Sequence, residues 1–460
     1  MLLGKQRDVN YSKLSKTKFS IVADISHWRS CCLLVKYFDK DQKGIVSKFW
    51  DLIAIPDSGN ITPENVENFF HKIHSSFTKR KIPDDNLIGF ASDGGHIMMY
   101  GPNSLASFFE RHFPGITLSR CICQSLQLCV NEACKELSDS LEDAIRTIMS
   151  FEDVKLKIFP HTELPKMHPS QTFWLSVPPI VERIIEQWDY LQSYFHEKKS
   201  EPPRRPAERI DEILQNPRYK LFFLFLSWIL PQFEQTNEYF RSKIVIIADV
   251  HREMTQTYKS LLSYYMKANY LDSVELKDID PQNENEFLPN SEMFLGTDFL
   301  EYLRAAVELQ NLSLDRFYKN CRNFLIKACN EMRKRYDFGV STMVHLKVLH
   351  PKNALSKSMY NRPSTLQRLL STLPRICAKQ LYETVDTEWN QLRSYVDYEH
   401  LDQVPIYAFW GRLLEHKSRD QYPFHNLATT ALEILSLPLS NYDSEKTFVK
   451  INQVKINTRN

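Results

Sequence analysis

The sequence predicts an α/β fold in which a mixed β-sheet is interrupted by a large all-α insertion and closed by C-terminal helices. Three observations predict it. Between residues 19 and 140, apolar strand-like runs and helical patterns follow one another in the order βββαβαβα. From there to about residue 405 the strand signal almost vanishes. The last segment returns a carboxylate, Glu445, to a helix face that otherwise reads as core, because positions 445, 448, 449 and 452 stack on one side.

The elements follow in order. Residues 1–18 read as a polar basic tail exposed to solvent, with Lys5, Arg7, Lys13, Lys16 and Lys18. KFSIVAD, CCLLVKYFD and GIVSKFWDLIAI are three apolar runs joined by short polar links, which predicts an antiparallel meander. PENVENFFHKIHSSFTKRK places Val66, Phe69, Phe70, Ile73 and Phe77 at helical spacing, with Thr62 as the expected N-cap. DNLIGFASDGG is a short buried strand, followed by the helix SLASFFERHF, the strand GITLSRC and the helix starting SLQLCVNEAC. In the insertion, PPIVERIIEQWDYLQSYFHEK, LFFLFLSWILPQFEQTNEYF and LDRFYKNCRNFLIKACNEMRKRY are helical, and SEPPRRPAER reads as a Pro-rich linker. The end of the chain reads as two helices around Pro438, the second N-capped by Ser440. The expected division is therefore a tail (1–18), an N-terminal core part (19–140), a helical insertion (141–405) and a C-terminal core part (406–460).

Composition narrows the function classes. A net charge of +2 over 460 residues gives no global attraction to a polyanion, so a nucleic-acid surface would have to be a local patch. Eleven glycines, with neither a P-loop nor a dinucleotide fingerprint, exclude a Gly-rich phosphate cradle. Nine cysteines without framework spacing, and an opening segment with no apolar core, predict reduced thiols and no secretion. The longest apolar run, from Leu221, ends at Pro231 and is too short to span a bilayer.

Two aspartates end strand-like runs: Asp24 closes the first and Asp93 the fourth. The strand order matches the ribonuclease H-like topology, in which acids of the first and fourth strands lie side by side. Read from position alone, both are turn residues and Glu445 is a charge in the first turn of a helix. Cys121, Cys123, Cys129 and Cys134 lack metal-ligand spacing and read as core residues. His112 and His96 read as ordinary polar residues.

Four passages together resemble the hAT superfamily of cut-and-paste DNA transposases and the domesticated genes derived from them. FSIVADISHW aligns Asp24 with the first catalytic aspartate, and LIGFASDGGHIMMYGPNS aligns Asp93 with the second. QTFWLSVPPIVERIIEQWDYLQSYF resembles the segment early in the family's helical insertion, with Trp174 on its tryptophan. YPFHNLATTALEILSLPLSNYDSEKTFVKI resembles the C-terminal dimerisation region and puts Glu445 on the third catalytic acid. The resemblance implies DNA cleavage and strand transfer at Asp24, Asp93 and Glu445, holding two Mg²⁺ (or Mn²⁺) ions roughly 3.5–4 Å apart. It further implies a homodimer or higher oligomer, a nuclear or nucleocytoplasmic protein, and no membrane or small-molecule partner. Trp174 would stack on an unpaired base, its alternative being a core tryptophan.

The chain departs from the family pattern in several places. Phe173 replaces an arginine, Gln124 and Arg120 replace histidines, and Ile25-Ser26 follow Asp24 where Glu-Ser is usual. No BED-type zinc finger precedes the core, so the expected affinity for DNA is low. The resemblance thus carries a second implication: a non-catalytic, dimerising, nuclear DNA- or chromatin-associated interaction protein.

Overall fold

The computed structural model describes residues 11–26, 30–55, 61–62, 65–92, 95–99, 101–137, 139–151, 154, 174–198, 200, 204–241, 247–305, 313–339, 342–356, 363–394 and 403–439. The chain divides into two compact units. One comprises Met1–Gln124, Phe240–His251 and Val340–Asn460; the other comprises Ser125–Tyr239 and Arg252–Gly339. The α/β class holds, and the boundaries shift from those expected. The helical unit starts at Ser125 and is itself split, while residues 340–405, read as insertion, belong with the sheet. The reason lies in packing: Leu346, Leu369, Leu370, Val385 and Trp389 join the C-terminal helices in one apolar cluster.

In the first unit a five-stranded sheet has the order β3-β2-β1-β4-β5. Its strands are β1 (Phe19–Ser26), β2 (Ser30–Asp39), β3 (Gly44–Ala54), β4 (Leu87–Ser92) and β5 (Thr117–Arg120). β2 pairs antiparallel with β1 and β3, giving the expected meander, while β4 is parallel to both β1 and β5. Strand alternation divides the side chains between two faces. Phe19, Ile21, Ala23, Leu33, Val35 and Phe90 enter one cluster with α2 (Val66–Thr78 in the full order after the short α1, Tyr11–Leu14). Two more helices follow β4, α3 (His96–Met99) and α4 (Leu105–His112). α4 is capped by Ser104, whose side chain accepts the Ser107 N–H at 3.2 Å. Phe109 of α4 stacks on Phe90 at 4.0 Å, joining helix to sheet through parallel rings.

Two local expectations change here. The N-cap of α2 is Asn65 rather than Thr62. Asn65 turns its Oδ1 back to accept the Thr62 N–H, as in one half of a capping box, and the Thr62 carbonyl accepts the Val66 N–H. The basic tail, where it is described, is anchored and not solvated. Leu14 is fully buried, Tyr11 packs edge-on against Trp50, and Lys13 pairs with Asp39 at 2.8 Å. Two apolar side chains among the charges suffice to hold the segment down.

The second sheet face carries Ser20, Val22 and Asp24 of β1 with Cys32 and Leu34 of β2. Helix His425–Leu435 packs against β2 and helix Ile406–Glu415 against β3. Beyond Ser436 the chain runs down onto the sheet. Lys36 Nζ donates to the Leu437 carbonyl at 3.1 Å, and the Ile122 N–H donates to the Leu439 carbonyl at 3.2 Å. Gly89 makes this approach possible, because a Cβ there would stand 2.7 Å from the Pro438 ring and 2.8 Å from Ser20 Oγ.

The described residues of the second unit form helices joined by turns and irregular stretches, with an isolated bridge between Met266 and Phe287. The apolar run at Leu221 lies in helix Pro217–Arg241, which continues through Pro231. PPIVERIIEQWDYLQSYFHEK forms two helices, Pro178–Glu186 and Trp188–Lys198, and the expected linker starts a helix at Arg204. Ring contacts Phe225–Phe324, Phe222–Phe317 and Tyr258–Phe338 knit this core.

Candidate active site

Asp24 lies near the end of β1, the central strand, on the second sheet face. It is only 8% exposed. Ionised carboxylates are costly to bury unless a partner compensates the charge. In the register of β1 with β2, Asp24 stands opposite Cys32. Burial, and then the charge of Asp24, push the Cys32 thiol up to about 12, so it remains protonated and unreactive.

Three stretches of chain converge around this strand end. The pairing of β1 with β4 is described as far as Ala23 opposite Ser92, one residue short of both aspartates. The Ser92 carbonyl accepts the Cys121 N–H at 3.0 Å, where the chain leaves β5 for α5 (Ile122–Cys134). Ile122 in turn holds Leu439, so the C-terminal chain is delivered to the same edge of the sheet. Asp93 and Glu445 lie outside the described residues. Of the three expected acids, the structure therefore places Asp24 alone. Gly89 and the 437–439 segment were not singled out from sequence as part of the site. The isolated glycine within a buried strand was the signal that could have found them.

Two hydroxyls on these strands, Ser20 Oγ and Ser119 Oγ, are buried with no hydrogen-bond partner among the described residues. Both follow the alternation of Val22 and Ala91 onto the second face. Buried polar atoms of this kind are uncommon in a finished core. A separate surface cleft of about 470 Å³, lined by Phe38, Lys43, Arg412 and Tyr422 among others, does not include Asp24.

Trp174, expected to stack on a base, opens a short turn (Trp174–Ser176) in the helical unit and is 4% exposed. Its indole is covered by protein, which agrees with the core alternative and leaves no ring face for a base in this conformation. Phe173 lies outside the described residues. All nine cysteines are buried and free, including Cys121, Cys123, Cys129 and Cys134, as the core reading anticipates. Burial raises the Cys129 thiol to about 12. Among the described residues, no helix is long and apolar enough to cross a membrane.

A comparison with protein-family models finds no match, and a comparison with curated proteins finds none.

Proposed function

We propose that this chain is a hAT-type, transposase-derived protein whose ribonuclease H-like sheet carries a carboxylate site for Mg²⁺-dependent DNA cleavage and strand transfer. The observation that carries the reading is Asp24, a buried carboxylate at the end of the central strand, beside the parallel strand whose last described residue precedes Asp93. The order β3-β2-β1-β4-β5, with β2 antiparallel to its neighbours, supports the ribonuclease H-like assignment.

The donor chemistry fits the metal. Asp24, Asp93 and Glu445 offer hard carboxylate oxygens, few in number, as Mg²⁺ prefers. When bound, paired ions of this kind activate a water or 3′-hydroxyl and stabilise the leaving oxygen. The protein's part is to hold Asp24 on a strand hydrogen-bonded on both sides, which limits its movement when charge at the site changes. DNA as partner, nuclear residence and self-association belong to the same reading. The dimer has lost one of its motives, however. The apolar residues of helices Ile406–Glu415 and His425–Leu435 are taken up inside their own unit, so self-association rests on the family resemblance.

A metal titration tests the proposal. Mg²⁺ or Mn²⁺ should raise the melting temperature of the wild type, by ligand linkage. Asp24→Asn and Asp93→Asn should each remove most of that gain while keeping the circular dichroism spectrum. Weak Mn²⁺-dependent nicking of supercoiled plasmid should vanish in both variants. The same metal response in wild type and variants would overturn the catalytic assignment and leave the interaction-protein reading in its place.

A further inference from the structure

On the opposite face of the sheet from Asp24, His74, Asp84 and His112 come together from three separate elements. His74 is in the last turn but one of α2, Asp84 opens the 3₁₀ turn Asp84–Asn86, and His112 ends α4. One ligand atom from each lies within 4.8 Å of the others. Among the described residues this is the group whose histidine, cysteine and carboxylate atoms approach so closely. We propose that these three side chains bind a divalent transition-metal ion, zinc foremost, which clasps α2, the Asp84 turn and α4 to one another. The site does not depend on the transposase reading.

The geometry favours coordination over a chance meeting of polar side chains. His74 Nε2 is 3.0 Å from Asp84 Oδ1, and the two imidazoles stand 4.6 Å apart, ring to ring, at 64°. A tetrahedral ion with bonds of about 2.0–2.2 Å needs ligand atoms roughly 3.3–3.5 Å apart. The widest separation would therefore close by about an ångström, while the His74–Asp84 pair would open slightly. Two imidazoles and one carboxylate form a common zinc donor set, with the fourth position left to water or another ligand.

The surroundings hold both rings in place. Phe70 and Phe113 each contact both imidazoles, with centroid distances between 4.9 and 6.0 Å. Arg375 fixes the backbone that carries Asp84, donating to the carbonyls of Asp84 and Leu87 at 2.6 and 2.7 Å. Such a shell of packing and hydrogen bonds is what orients metal ligands. The site is also reachable: the Asp84 side chain is 47% exposed and the His74 side chain 17%. From sequence His112 reads as an ordinary polar residue, because spacing does not relate positions 74, 84 and 112.

The test is a titration of metal-free full-length chain with Zn²⁺ by calorimetry, and with Co²⁺ by visible absorption, at near-neutral pH. The expected result is one ion per chain at micromolar affinity or tighter, with a rise in melting temperature. His74→Asn and His112→Asn should each weaken binding by at least about tenfold, and Asp84→Asn should weaken it as well. His71→Asn serves as control: that imidazole is nearby and largely exposed but outside the ligand set, so binding should be unchanged. Asp24→Asn should likewise bind zinc as wild type does, which separates this site from the Mg²⁺ proposal. No saturable binding, or the same affinity in wild type, His74→Asn and His112→Asn, would overturn the proposal. Because His71, His74, Asp84 and His112 are at least partly exposed, circular dichroism of each variant distinguishes lost ligation from lost fold.

Discussion

Each unit carries a poorly exposed glutamate on a helix, Glu331 in one and Glu433 in the other, and the two are treated in opposite ways. In the helical unit, Glu331 is 5% exposed and surrounded by Lys327, Lys334 and Arg335. Burial alone would raise its pKa, but Lys334 and Arg335 more than offset this and hold it at about 2. In the sheet unit, among the described residues, Glu433 pairs with one cation, Lys18 at 3.4 Å. Burial there outweighs Lys18 and pushes the carboxyl up to about 7. The outcome follows the balance of burial against compensating charge: three cations lie beside Glu331 and Lys18 beside Glu433. The helical unit confines its buried charge in a closed network, whereas the sheet unit keeps acids whose charge state remains sensitive to conditions.

The sharpest way to break this comparison is Glu331→Ala, which leaves Arg335 facing a position without its counter-charge. Loss of a buried pair of this type costs about 3 kcal/mol, measurable as a fall in the urea midpoint. The pH dependence has a definite sign. Because the folded pKa lies below the ordinary 4.5, the stabilisation is present above pH 4.5 and is lost as pH falls through about 2. A variant with unchanged stability at neutral pH would show that the network is only a surface decoration.

The next largest effect is expected in the sheet unit. Gly89→Ala brings a methyl group to 2.7 Å from the Pro438 ring and 2.8 Å from Ser20 Oγ, so something must shift. Overpacking of this kind costs about 1–3 kcal/mol. Hydrogen exchange should show the loss concentrated at the Ile122 amide, which is bonded to Leu439. Uniform loss across both units would mean that residues 437–439 are not a distinct docking step.

The smallest effect has the opposite sign. For Glu433 the folded pKa is raised from 4.5 to about 7, so its contribution is complete below pH 4.5 and is lost as pH rises through about 7. Glu433→Gln should therefore gain about 1–2 kcal/mol over wild type at about pH 8, and nothing near pH 4. Denaturant titrations at the two pH values check this. Equal effects at both would mean that Lys18 compensates Glu433 as fully as the cations compensate Glu331.

The meander and the parallel strands were readable because each strand is a short apolar run bounded by polar residues, from KFSIVAD to DNLIGFASDGG. The α2 face was equally plain, since Val66, Phe69, Phe70, Ile73 and Phe77 keep helical spacing and all are buried. Asp24 was readable for the same reason, as a charge interrupting an apolar strand. The limits of the helical unit were not. Residues 340–405 have the same helical patterning as the insertion, and nothing local tells which core a helix will join. The anchoring of Tyr11 and Leu14 was missed because two apolar residues are too few to show a period.

By itself, the sequence determined the α/β class, the strand order along the chain, the buried cysteines and the place of Asp24 in the first strand, which runs on to Ser26 rather than ending at the aspartate. All of these follow from periodicities of two and 3.6 residues and from the cost of burying charge, which act over a few neighbouring positions. Only the tertiary structure decided that Gly89 must lack a side chain, that Trp174 is enclosed, that Glu331 and Glu433 differ, and that His74, Asp84 and His112 meet. Each of those depends on a distance between residues far apart in the chain. Such distances are set when helices choose which sheet face or core to cover, a choice made by the packing of the whole and not by any one segment.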